Sequence, residues 1–154
     1  MQQVSLYISF IGSMYFLIFK SMNHLFVYGT LLQSGNQFGL YLKNNSTVIC
    51  PGQFPGKLFN IGGYPGAIYE PEARSAVFGS VLLLNNAAEA LRIMDDYEGT
   101  GDSYPQPNEF IRKVIDINTD SVPIKCWVYL YNLPVYELPE IKKGDYIDFL
   151  TEGE

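Results

Sequence analysis

The sequence predicts an α+β domain built on a small sheet that is closed or strongly curled. The first observation is element order: strand-like segments, then one well-formed helical segment, then strand-like segments again. The second is punctuation. Fourteen glycines and nine prolines are spread along 154 residues as turn signals, which argues against a coiled coil or a helical bundle. The third is that the strands read as short and numerous, and closing the sheet removes the edges they would otherwise expose.

The chain opens on a segment unlike the rest. Residues 4–19 (VSLYISFIGSMYFLIF) carry no charge and are followed by Lys20. The run falls short of the ~20 residues that span a bilayer. It has neither the basic start nor the small-residue cleavage site of a secretory signal. Three readings stay open for residues 1–21. They are an upstream extension arising from start-site choice, a leader that contacts a membrane, or an extra structured element. The domain itself is expected over residues 22–154.

Leu25-Phe26-Val27-Tyr28 reads as a buried first strand, and Gly29 is expected to turn the chain there with positive φ. Residues 33–47 are polar with scattered apolar positions and suggest a short irregular helix. Between Thr47 and Tyr69, β-formers are interrupted by Pro51, Gly52, Pro55, Gly56, Gly62, Gly63, Pro65 and Gly66, which predicts two or three short strands. Residues 76–84 (AVFGSVLLL) are apolar on both alternating sets, so a central strand covered on both faces is expected. The clearest helix is 87–98, with Asn86 as N-cap, Glu89 completing a capping-box-like pair and Gly99 placed for a left-handed C-terminal residue. A Gly/Pro-rich loop follows. Residues 110–117 then set Ile111, Ile115 and Ile117 opposite Arg112 and Asp116. Residues 125–132 set Cys126, Val128 and Leu130 opposite Trp127, Tyr129 and Tyr131.

Ten Lys+Arg against sixteen Asp+Glu give a net charge of −6 with no basic block. No nucleic-acid partner is expected, because phosphate contacts need a basic face. Cys50 and Cys126 lie far apart without a C-x-x-C, and His24 is the only histidine. That leaves no zinc site of standard spacing and no disulfide scaffold, and it fits a reduced cytoplasmic protein. Both cysteines read as small apolar core residues. There is no phosphate-binding glycine loop and no G-x-S-x-G elbow. His24 stands at the domain's edge and is not taken as a base.

Two features remain where chemistry is feasible. Ala87, Leu91, Met94 and Glu98 share one helix face, which sets a carboxylate at the end of an apolar stripe. Beside apolar surface and at the negative end of a helix dipole, such a group has a raised pKa and can exchange a proton near neutrality. Alternatively the last turn rolls out of the core and Glu98 is solvated. Asp95 and Asp96 are expected to face solvent. The second feature is Tyr28-Gly29-Thr30-Leu31, where outward backbone amides can hold a carboxylate or an oxyanion, or where the chain simply turns.

At these two places the chain resembles the gamma-glutamylcyclotransferase-like family. Tyr28-Gly29-Thr30-Leu31 is similar to that family's Y-G-[TS]-L signature. Met94-Asp95-Asp96-Tyr97-Glu98-Gly99 is similar to its L-D-x-[YF]-E-G helix end, whose Glu is the catalytic acid/base. Gly62-Gly63-Tyr64-Pro65-Gly66, Val77-Phe78-Gly79 and Ile141-Lys142-Lys143-Gly144-Asp145-Tyr146 fall in the family's order. Three departures stand out. Ser80 replaces a frequent acidic residue, Phe110-Ile111-Arg112 replaces Y-x-R, and the loop before Phe110 is long, with Tyr104 inside it. The resemblance implies a small mixed β-barrel of about six strands, with one main helix and short peripheral helices. It implies cofactor-independent release of 5-oxoproline from a small γ-glutamyl amine or peptide. Glu98 would be the acid/base, and Tyr28, Gly29, Thr30, Leu31 and one of Tyr129 or Tyr131 would bind substrate. A non-catalytic domain that keeps the barrel and binds a small acidic or amino-bearing ligand is the alternative.

Overall fold

The computed structural model describes residues 22–33 and 35–153, so the expectations for residues 1–21 lie outside the described residues. The elements in chain order are β1 (His24–Val27), α1 (Gln37–Asn45), β2 (Ser46–Asn60), β3 (Pro65–Tyr69) and β4 (Ala76–Leu84). Then follow α2 (Ala87–Glu98), β5 (Phe110–Ile117), β6 (Ile124–Tyr131) and α3 (Tyr146–Glu152). The strands form one mixed sheet in the order β3-β2-β4-β1-β6-β5, antiparallel except where β1 meets β6. The sheet curls until Gln53 of β2 exchanges two backbone hydrogen bonds (3.0 and 2.8 Å) with Asn118, one residue past β5. The result is a half-barrel with three helices, as the α+β expectation requires.

Curling divides the apolar residues into two cores. Inside the curl lie Phe26, Phe54, Leu58, Val77, Val81, Ile115, Ile117, Cys126, Val128 and Leu130. Between the sheet and the helices lie Leu25, Leu42, Leu82, Leu84, Ala90, Leu91, Met94, Phe110 and Tyr129. The alternation read from β5 and β6 thus sorts residues correctly: the Ile and Cys/Val/Leu sets fill the curl, and Trp127, Tyr129 and Tyr131 face the helical layer. β4 is central and buried on both faces over Val81 and Leu82, but Phe78 and Leu83 are exposed near its ends.

Three local expectations need correction. The Thr47–Tyr69 region holds two strands, within the expected number, but the first, β2, runs long rather than short, because Gly52 and Gly56 permit close approach instead of ending it. A Cβ on Gly52 would stand 2.5 Å from the Ile117 side chain, and one on Gly56 would stand 2.1 Å from the Ile68 carbonyl oxygen. The residue count is absorbed by an irregularity between Val48 and Cys50. The 33–47 segment holds a regular helix, α1, whose N-cap Asn36 accepts hydrogen bonds from the amides of Phe38 and Gly39. Gly29 does not have positive φ; what demands glycine there is Pro65, whose Cγ would stand 2.9 Å from a Cβ.

Helix α2 forms as its sequence dictates. The Asn86 side chain accepts from the Glu89 amide (3.3 Å), and Gly99 adopts φ 62, ψ 40, the left-handed conformation that closes a helix. Leu91 and Met94 are buried, each contributing about 2 kcal/mol of apolar transfer. This stripe fixes the helix against the sheet and so determines where its last turn points. Among the described residues, no helix is long and apolar enough to cross a membrane. Cys126 is buried and Cys50 half-buried, and neither is in a disulfide. Burial pushes the Cys126 thiol up to about 12, so it is an inert core group.

Candidate active site

A cavity of about 350 Å³ opens where the C-terminal end of β1, the last turn of α2 and the start of β5 converge. Tyr28, Gly29, Thr30 and Leu31 line it from one side and Met94, Tyr97 and Glu98 from another. Tyr64, Pro65, Glu109, Phe110 and Tyr129 complete the wall. This size and mixed lining suit a small molecule. Among the described lining residues none is Lys, Arg or His, and no described group of His, Cys, Asp and Glu is arranged to hold a metal ion. His24 lies outside the cavity.

Glu98 is the last residue of α2, and the apolar stripe of that helix carries it to the cavity wall. Among the described residues its carboxyl has no hydrogen-bond or ion-pair partner. Burial, and then the like charge of Glu109, push its pKa from 4.5 up to about 7. The helix therefore does not roll out of the core. It presents a half-buried acid that is partly protonated at neutral pH.

Its neighbour Asp95 departs from expectation. Instead of facing solvent, it accepts a 2.7 Å hydrogen bond from the Tyr129 hydroxyl and pairs with Arg112 at 3.3 Å. The Tyr129 hydroxyl also lies 3.3 Å from the Leu91 carbonyl oxygen. The Arg112 guanidinium stacks over the Trp127 ring at 4.7 Å. Its Nη1 is near enough to Asp95 for an ion pair but misaligned for a hydrogen bond, which leaves that buried nitrogen without one. The sequence overlooked this network because helical periodicity places Asp95 off the apolar stripe. Only its i, i+4 relation to Leu91, whose carbonyl shares the same phenol, hinted at a common face.

The aromatic residues divide by role. The Tyr28 hydroxyl donates to the Tyr129 carbonyl (2.6 Å) and accepts from the Ala67 amide (3.3 Å), so it ties β1 to β6 and β3. Burial raises its pKa well above the phenol range. Tyr129 lines the cavity with its hydroxyl engaged by Asp95. Tyr131 is not among the lining residues and packs edge-on against Phe110 at 5.6 Å. Beyond Tyr28 the backbone reverses in a turn closed by the Gln33 amide on the Thr30 carbonyl (2.8 Å). The amides of Gly29 and Thr30 have no protein acceptor among the described residues.

One acidic residue escaped the sequence reading. Glu109 lines the same cavity as Glu98 and accepts a 2.5 Å hydrogen bond from the Tyr64 hydroxyl. It lies at the end of the loop preceding β5, where no periodicity operates, and only the fold reveals its partner 45 residues away.

The family profile described as gamma-glutamyl cyclotransferase, AIG2-like matches residues 25–148. Among curated proteins none matches this chain. Solved structures do. YkqA from Bacillus subtilis is 20% identical, with a TM-score of 0.62 over 86% of this chain; the chain spans 43% of that longer protein. An AIG2-like protein from Mus musculus is 21% identical, with a TM-score of 0.61 over 81% of this chain and 88% of that one. Protein ytfP from Escherichia coli is 27% identical, with a TM-score of 0.58 over 82% and 97%. With a profile match that runs from β1 into α3 and takes in both the β1 turn and the Glu98 helix end, the chain belongs to the gamma-glutamyl cyclotransferase, AIG2-like family.

Proposed function

We propose that this protein is a cofactor-independent cyclotransferase that converts a small γ-glutamyl amine or peptide into 5-oxoproline and a free amine. The observation that carries the reading is Glu98. Among the described residues it is a half-buried carboxyl without a hydrogen-bond or ion-pair partner, with a pKa of about 7, in a cavity also lined by Gly29 and Thr30, whose amides have no protein acceptor among those residues.

The reaction is intramolecular. The substrate's α-amine attacks its own γ-carbonyl, and the five-membered ring makes the two groups neighbours without help from the protein. Glu98, as carboxylate, takes a proton from the α-ammonium and frees the nitrogen lone pair. The new N–C bond forms and the carbonyl becomes an oxyanion. Collapse breaks the bond to the leaving nitrogen, which receives the proton from Glu98. The ring nitrogen's second proton follows the same route, so Glu98 ends as it began. The Gly29 and Thr30 amides hold the α-carboxylate or the oxyanion. Leu31 supplies wall. Tyr28 and Tyr129 shape the floor, while Tyr131 supports it through Phe110.

A pKa near 7 suits this exchange, because one group must serve as base and acid in a single turnover. The test is 5-oxoproline release across a panel of γ-glutamyl amides and peptides by the wild type and Glu98→Gln. Turnover by the wild type and none by the folded variant supports the reading. Full turnover by Glu98→Gln overturns the mechanism. Saturable binding without turnover of any panel member overturns the enzyme reading in favour of a binding domain.

A further inference from the structure

Glu109 is a second acidic group in the same cavity, and the mechanism above does not use it. Its backbone is held firmly: the Asn132 amide donates to the Glu109 carbonyl (2.8 Å), and the Asn132 side chain donates to the Asn108 carbonyl (3.0 Å). Asn108 is itself buried and bonds the Gly101 amide, the Gly101 carbonyl and the Pro105 carbonyl. The side chain is oriented by the Tyr64 hydroxyl on Oε1. Oε2 has no protein partner among the described residues. Among the described residues no Lys, Arg or His lines the cavity to neutralise either carboxylate, and the remaining wall near Glu109 is aromatic, with Tyr64 and Phe110 centroids 6.3 Å apart.

Resting on the cyclotransferase reading, we propose that Glu109 is a specificity-determining residue. It selects γ-glutamyl amides whose leaving amine carries a second, cationic group and no carboxylate. The γ-glutamyl half supplies its own carboxylate and ammonium, which the Gly29–Thr30 amides and Glu98 accommodate. What reaches Glu109 is therefore the leaving half. An ammonium there gains a charge partner and aromatic faces, and an alkyl spacer lies along the ring walls. A terminal carboxylate there meets Glu109 and Glu98 with no compensating cation among the described lining residues, which disfavours peptides ending in a free acid.

The test uses three mono-γ-glutamyl amides of equal reach, made from 1,4-diaminobutane, n-pentylamine and 4-aminobutanoate. They end in an ammonium, a methyl and a carboxylate. The wild type should rank them in that order in kcat/KM. The ammonium should exceed the methyl by about fivefold or more, the size of one partly screened ion pair, and the margin should shrink as salt is raised. Glu109→Gln, which still accepts from Tyr64, should bring the ammonium-to-methyl ratio near one. Because all substrates meet the same Glu98 at a common pH, any change in that acid cancels from the ratio. An unaltered ratio in Glu109→Gln, or a wild-type preference for the carboxylate, overturns the proposal. Binding of the three amides to Glu98→Gln, measured by calorimetry, reads the same ranking without turnover. Loss of the reaction alone therefore refutes the cyclotransferase reading while the charge preference is still scored.

Discussion

Replacing Glu98 with glutamine should make the protein more stable at high pH while removing the proposed release of 5-oxoproline. The carboxyl has an ordinary pKa of 4.5 in the unfolded chain and about 7 in the folded one. Between those values the unfolded chain has released a proton that the folded chain retains, so folding stability falls as pH rises through this window. The full shift corresponds to about 3 kcal/mol above pH 7, and less than about 1 kcal/mol has been lost by pH 5. Glutamine keeps the shape and does not titrate. The stability difference between variant and wild type should therefore grow by about 2 kcal/mol from pH 5 to pH 8. Urea unfolding of both proteins at the two pH values measures this directly, and 5-oxoproline release measures the accompanying loss of activity. A difference that does not change with pH, or a variant that loses stability at pH 8, would refute a strained, partnerless acid at this position.

Other perturbations have equally definite outcomes. Removing the like charge with Glu109→Gln should move the acid limb of the kcat/KM profile to lower pH, though not to an ordinary carboxylate value, because burial is the larger cause of the Glu98 shift and remains. Tyr129→Phe should cost about 1–2 kcal/mol in urea unfolding, since Asp95 loses its 2.7 Å donor. It should also lower kcat by loosening the last turn of α2. Gly144→Ala should lose more than about 3 kcal/mol or fail to fold, visible as loss of soluble protein, because the position has φ 69 and a Cβ would stand 1.8 Å from the Ala76 carbonyl oxygen.

What could be read from the chain follows the range of the forces involved. Helix α2 was legible at both caps and along its buried face, because capping and a 3.6-residue period are local. The sorting of β5 and β6 between the two cores was legible for the same reason, with a period of two. The long strand β2 was not. Pro51, Gly52, Pro55 and Gly56 look like turn chemistry, and only the neighbours that crowd the two glycines reveal close packing. At the cavity, Glu98 followed from helix geometry together with the family resemblance. Glu109 and Asp95 did not, since Tyr64, Tyr129 and Arg112 reach them across 45, 34 and 17 positions of sequence.

The contrast between Asp95 and Glu98 shows how one helix turn can hold an anchored acid and an unanchored one. Both lie in the last turn of α2, three residues apart, and Arg112 reaches that turn from β5. Had Arg112 paired with Glu98, the ion pair would have held that carboxyl ionised at neutral pH and removed its capacity to return a proton. Instead Trp127 and Asp95 engage the guanidinium, and the Tyr129 hydroxyl gives Asp95 a second donor. The anchored acid fixes the helix end to β5 and β6. The other acid is left with burial and Glu109, which both push its pKa in the same direction. Rigidity of the turn and protonation of its last side chain are thereby set by separate residues, so the group at the cavity stays unpaired among the described residues without being loose.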